Sequence, residues 1–152
     1  MGAYFATSSK SGVNTAATPM WNLWTTGNTL WVQTLVVSMP VASTTIPDLY
    51  IVRSTARGTQ TTTQAGQPGD PSDTSTVTGT LDSAWSVNPT VGAVTTALLR
   101  MPLALAAGAT FYLTAEILNS PWVRSGNGLA IVNGNASGAT LGTYTLSVTW
   151  RE

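Results

Sequence analysis

The segment Thr143–Trp150 alternates without a break: Tyr144, Leu146, Val148 and Trp150 are apolar, while Thr143, Thr145, Ser147 and Thr149 carry hydroxyls. A period of two puts these sets on opposite faces of an extended chain, whereas a helix would mix them. The segment is expected to be an antiparallel strand with one buried and one wet face. Thr110–Leu118 repeats the pattern, with Phe111, Leu113, Ala115 and Ile117 on one face and Tyr112, Thr114 and Glu116 on the other. Leu30–Met39 is more apolar: Trp31, Leu35, Val37 and Met39 fall on one side, Val32 and Val36 on the other. It is expected to be covered on both faces, and Pro40 ends it. Leu49–Thr55 follows Pro47 as a further strand. Ala3–Thr7, Thr76–Leu81, Val94–Met101 and Leu129–Asn133 read as shorter ones.

Composition leaves little material for helices. Lys10 is the single lysine and Glu116 and Glu152 the two glutamates, so the residues that normally fill exposed helix faces are nearly missing. Against them, 56 of 152 residues are Thr, Val, Ile or aromatic, types that suit a pleated, half-buried surface. Val94–Ala107 is rich in Leu and Ala, but Pro102 interrupts it, and strand–turn–strand is preferred over helix. Ala56–Ser75 reads as a long polar loop and Asn133–Gly142 as a glycine-rich connection. About eight short strands separated by turns predict an all-β fold, a single antiparallel β-sandwich or jelly roll. The length suits one domain overall. Residues 1–29 are expected to form an N-terminal arm plus the first short strand, and residues 30–152 the sandwich.

Charge is the other constraint. Only 12 side chains are charged, 6 basic and 6 acidic, and at 8% this is far below the roughly 25% usual in soluble domains. On the roughly 7,300 Å² expected for a chain of this mass, such a surface is either coated with hydroxyls and amides or covered by other protein. With no His or Cys, Ser-His-Asp triads, Cys nucleophiles and zinc sites of the usual N/S type are excluded. Zero net charge and one lysine argue against nucleic acid as a partner. No apolar run reaches 18 residues, so no membrane helix is expected, and the N-terminus lacks the basic and apolar regions of a secretion signal.

Asp70, Asp73 and Asp82 lie within 13 residues and could act as acid and base or hold calcium. Asp70-Pro71-Ser72-Asp73 lacks the spacing of a calcium loop, however, and has ordinary turn chemistry; no metal, cofactor or catalytic residue is assigned. Gly126-Asn127-Gly128 reads as a hairpin turn rather than a phosphate cradle. Asn135-Ala136-Ser137 is a formal glycosylation sequon of a kind common by chance in so Ser/Thr-rich a chain. Trp85 and Trp150 sit among apolar residues as core candidates. Trp21, Trp24 and Trp31 cluster near the N-terminus, and Trp122 follows Pro121. For these, core, protein interface and sugar-stacking platform all stay open. Trp21, Trp24, Trp122 and Arg57 are the candidate residues for contact with another protein subunit.

Four blocks carry a resemblance: Met1-Gly2-Ala3-Tyr4-Phe5-Ala6, the run from Tyr50 to Thr59 (Tyr50-Ile51-Val52-Arg53-Ser54-Thr55-Ala56-Arg57-Gly58-Thr59), Trp85-Ser86-Val87-Asn88-Pro89-Thr90, and Val148-Thr149-Trp150-Arg151-Glu152. In pattern and order they resemble the small all-β decoration, or cement, proteins on the outside of tailed-bacteriophage heads. The resemblance implies a jelly roll or related sandwich that trimerises, binds between subunits of the major capsid protein, and has no catalytic motif. The chain departs from it in the extra tryptophan of its first thirty residues.

Three functions follow as expectations. The first is a homotrimeric capsid decoration protein that stabilises a phage head from outside, made in the host cytoplasm and located on the virion. The second is another virion jelly roll, such as a minor coat, head-fibre or tail-associated module. The third is a carbohydrate-binding module that uses an exposed tryptophan.

Overall fold

A computed structural model of the chain describes residues 2–13, 18–41, 47–102, 106–116, 122–134 and 140–152. The framework strands are β1 (Ala3–Val13), β2 (Trp21–Thr25), β3 (Leu30–Met39) and β4 (Asp48–Ala56). Between β4 and the next framework strand the chain inserts β5 (Thr59–Ala65), β6 (Gln67–Pro68), β7 (Gly79–Val87) and β8 (Thr90–Val91), followed by a 3₁₀ turn at Val94–Thr96. The framework resumes with β9 (Leu99–Pro102), β10 (Ala109–Thr114), β12 (Asn127–Asn133) and β13 (Thr140–Arg151); the two-residue β11 (Trp122–Val123) precedes β12.

All described pairings are antiparallel and form two sheets. One, sheet A, has the order β10-β3-β13-β1-β6; the other, sheet B, runs β5-β7-β2-β12-β4, with β8 and β9 both on the free side of β4. Taking the eight framework strands in chain order as one to eight, the sheets read 6-3-8-1 and 2-7-4-5. That is the strand order of a jelly roll, two interlocked four-stranded sheets. Seven of the eight expected strands fall in this framework; the eighth, Thr76–Leu81, overlaps β7 in the insertion, while framework strand β2 lies in the stretch expected as an arm. The thirteen strands among the described residues include five additions, β5, β6, β7, β8 and β11.

The core lies between the sheets. Tyr144, Leu146, Val148 and Trp150 of β13 all point into it and are buried, as their alternation requires. They meet Trp21, Leu23, Ile51, Leu129 and Ile131 from sheet B.

Several expectations need correction. Residues 1–29 are not set apart as an arm: β1 lies along β13 over ten residue pairs, and β2 is a central strand of sheet B. The polar stretch Ala56–Ser75 contains β5 and β6 rather than loop alone, because β7 offers β5 a free edge. Val94–Ala107 forms the 3₁₀ turn and then β9, ending at Pro102; residues 103–105 lie outside the described residues. Within β3, Trp150 pairs with Val32 and Thr149 with Thr34, so Gln33 bulges out of register. The bulge shifts the inward parity: Leu30 and Val32 are buried before it, and Leu35, Val37 and Met39 after it. Trp31 and Val36 therefore lie on the outer side, and β3 is not covered on both faces.

Candidate functional site

The two outer faces differ. On sheet B, Val52, Ala130 and Val132 point away from the core yet are fully buried, because Val91, Val94 and Ala97 of the β5–β8 insertion and its 3₁₀ turn pack over them. β2 is buried along its whole length, and β12 from Gly128 onward, where this cover lies over Ala130 and Val132. Next to this cluster Asn22, Ser54 and Asp82, also buried, form a polar patch. Ser54 Oγ donates to Asn22 Oδ1 at 2.7 Å. Arg57, just after β4, grips Asp82 with Nε–Oδ2 2.7 Å and Nη2–Oδ1 2.8 Å, and reaches Thr80 Oγ1 at 2.9 Å. The hydrogen bond to Asp82 holds the Arg57 guanidinium above its ordinary pKa. Gly58 has φ +74°, and a Cβ there would sit 2.2 Å from the Val87 carbonyl oxygen, so only glycine allows the turn that aims Arg57 inward.

Sheet A carries no such cover among the described residues. Its outer face is a grid read directly from the register. One row is Thr110, Ser38, Thr145 and Ser9; the next is Tyr112, Val36, Ser147 and Thr7; the third is Thr114, Thr34, Thr149 and Phe5. No position in these three rows is charged; the row beyond them, Trp122, Trp31, Arg151 and Ala3, holds one exposed arginine. Hydroxyls pair across strands, with Thr34–Thr149 at 2.7 Å, Ser9–Thr145 at 3.0 Å and Thr7–Ser147 at 3.2 Å. Tyr112, 59% exposed, and Phe5, 46%, stand out of this surface. The chain's one lysine is withdrawn from exposure: Lys10 Nζ donates to the carbonyls of Ser83 at 2.8 Å and Pro19 at 3.3 Å, and burial pushes its pKa down to about 8.

At the end of sheet A beyond the bulge, Trp122 pairs with Trp31 and the two rings stack, centroids 4.8 Å apart. Trp122 is 42% exposed. Beside it a cavity of about 630 Å³ is lined by Thr29, Arg53, Trp122, Arg124 and Asn127. Thr29 comes from the β2–β3 turn, Arg53 from β4, and Arg124 from the connection between β11 and β12. Gly126, at φ +72°, closes that connection as a turn between the two sheets rather than the expected hairpin, and Asn127 and Gly128 already belong to β12. Arg53 Nη1 donates to the Trp122 carbonyl, and burial lowers the Arg53 pKa.

Of the candidate contacts, Trp21 and Trp24 are buried within their own chain, on β2, and Arg57, 21% exposed, is engaged by Asp82. Trp122 alone is exposed. Trp85, expected in the core, is half-buried with Lys10 Nζ 5.4 Å from its ring centre, while Trp150 is core as expected. The three aspartates do not converge. Asp70 and Asp73 accept the backbone N–H of Ser72 and Ser75, both at 2.9 Å, which is turn chemistry, and Asp82 is buried with Arg57. Residues 135–137, the sequon, lie outside the described residues. Arg53, Arg124 and the sheet A grid were not singled out in sequence; the hydroxyl sets of β13 and β10 signalled wet faces, but their alignment needed the register.

No protein-family model matches the chain, and no curated protein matches it in sequence. Among solved structures, "Structure of Triatoma Virus (TrV)" aligns with 97% of this chain at 13% identity and a TM-score of 0.28; this chain spans 64% of that chain's length. The fold class rests on the strand order itself. Among the described residues no helix is long and apolar enough to cross a membrane.

Proposed function

We propose that the chain is a structural protein of a virus particle, a decoration protein that binds the outside of a tailed-phage head as a trimer and stabilises the shell. The carrying observation is the uncharged grid on the outer face of sheet A, uncovered while the opposite face of the sandwich is closed by the chain's own insertion. Such a face can be buried against protein at low cost, because hydroxyls find new hydrogen-bond partners and no ion must be stripped of water. The jelly-roll order and the four sequence blocks support the same reading, which requires no catalysis and no cofactor. In it the grid meets the major capsid protein, and binding adds to shell stability by mass action.

Light scattering tests the oligomer: the expected mass is three times 15.8 kDa. A monomer that ignores expanded heads would sink the proposal. Another virion role, as minor coat, head fibre or tail module, is separated from this one by the position and copy number of the chain in electron cryomicroscopy of the parent particle.

A further inference from the structure

The cavity beside Trp122 goes unused in the capsid reading. Its lining among the described residues combines two guanidiniums, one exposed indole, one hydroxyl and one carboxamide, with no carboxylate among them. Two of the chain's five arginines therefore converge on one hollow in a protein that spends few charges elsewhere. The volume, about 630 Å³, lies within the roughly 300–1,000 Å³ of small-molecule sites.

Each group narrows the ligand. Arg53 and Arg124 present planar forks suited to a carboxylate. Arg53 is tied to the Trp122 carbonyl, so one guanidinium is fixed relative to the ring. Trp122 is braced from behind by its stack on Trp31, which leaves its other face for an apolar surface such as the C–H face of a pyranose. Thr29 and Asn127 add the neutral donors and acceptors that sugar hydroxyls need. An inorganic anion would leave the indole without a role, and a neutral sugar would not use the charge that Arg124 brings to the rim.

We propose that this cavity binds an acidic sugar, a pyranose carrying a carboxylate, with the ring on Trp122 and the carboxylate between Arg53 and Arg124. The proposal is independent of the capsid reading: a monomer could still bind the sugar, and a trimer that decorates heads could fail to.

Titration calorimetry and amide chemical-shift mapping on the full chain test it, with galacturonate, glucuronate and N-acetylneuraminate oligomers as probes. Neutral galactose oligomers, acetate and inorganic phosphate serve as controls. At least one acidic sugar is expected to bind saturably, tenfold or more tighter than every control, with shifts centred on Trp122 and Asn127. Arg124→Ala, at an exposed position, should weaken that binding about tenfold or more while leaving the unfolding midpoint unchanged. Trp122→Ala should weaken it comparably. No binding by any of the three acidic sugars would overturn the proposal. So would equal affinity for phosphate, acetate or the neutral oligomer, or undiminished binding by Arg124→Ala.

Discussion

Asp82 shows how much of this fold hangs on single side chains. It is fully buried, and its partner Arg57 is 21% exposed, so removing the carboxylate leaves a largely dehydrated guanidinium with only threonine hydroxyls. Asp82→Ala is expected to cost about 2–3 kcal/mol of stability, read as a lowered urea midpoint with an unchanged slope; a midpoint like that of the parent chain would refute the role. Glu152 plays a similar part at the end of β13. Burial works against its charge, but N–H groups of Thr78 and Gly79, the Trp150 indole and the Thr78 hydroxyl outweigh that and hold its carboxyl below the ordinary 4.5. These bonds tie sheet A to the start of β7 in sheet B, the shortest at 2.7 Å. Because the folded pKa is lowered, the stabilisation is present above the ordinary value and lost as pH falls through the folded one. Glu152→Gln should cost about 1–2 kcal/mol at neutral pH and show a shallower loss of stability on acidification than the parent chain. Parallel pH–stability curves would contradict this. The sequence offered Arg57 and Asp82 as notable residues but not as a pair, since 25 positions separate them and only the path of the insertion brings them together. The tryptophans were ambiguous for the same reason: Trp21 and Trp122 have similar neighbours in sequence and opposite surroundings in space.

The strands with strict alternation, β13 and β10, were legible because a half-buried strand imposes its period on the side chains. Elements whose surroundings come from elsewhere were not. β2 reads as irregular in sequence because all five of its residues are buried, Trp21 and Leu23 in the core and Asn22 in the polar patch with Ser54 and Asp82, so no alternation is required of it. β5, with three register shifts against β7, is an exposed threonine-rich edge strand whose irregularity limits pairing with other chains. The turn from β5 into β6 passes over the Trp150 indole. A Cβ on Gly66 would lie 2.4 Å from Trp150 Cζ2, and one on Gly79 2.7 Å from its Nε1. Gly66→Ala is accordingly expected to cost about 1–3 kcal/mol by overpacking, seen as a lower thermal midpoint. An unchanged midpoint would mean that the insertion is not seated on Trp150. Neither glycine announces this role in one dimension, because the contact spans the sandwich.

At the scale of the molecule, 12 charges spread over 7028 Å² of surface acquire a pattern. Arg57–Asp82 and Arg100–Asp48 are ion pairs, the lysine is folded against backbone carbonyls, and two arginines line one cavity. What remains is a sandwich closed on one side by its own insertion and presenting on the other three rows without a charge, with Arg151 in the row at their edge. The low charge was plain from composition, but where it concentrates depends on strand order and register. The most direct test of the proposal that this face is a contact surface on a tailed-phage head is co-sedimentation of the protein with expanded heads of the particle that encodes it, comparing the natural chain with Val36→Lys. Val36 stands near the middle of the grid between Tyr112 and Ser147, where a lysine would bury an unpaired charge in the complex without entering the core. The expected result is saturable binding by the natural chain and binding weaker by about tenfold or more for the variant, at equal unfolding midpoints. Equal binding by both chains, or none by the natural one, would contradict it.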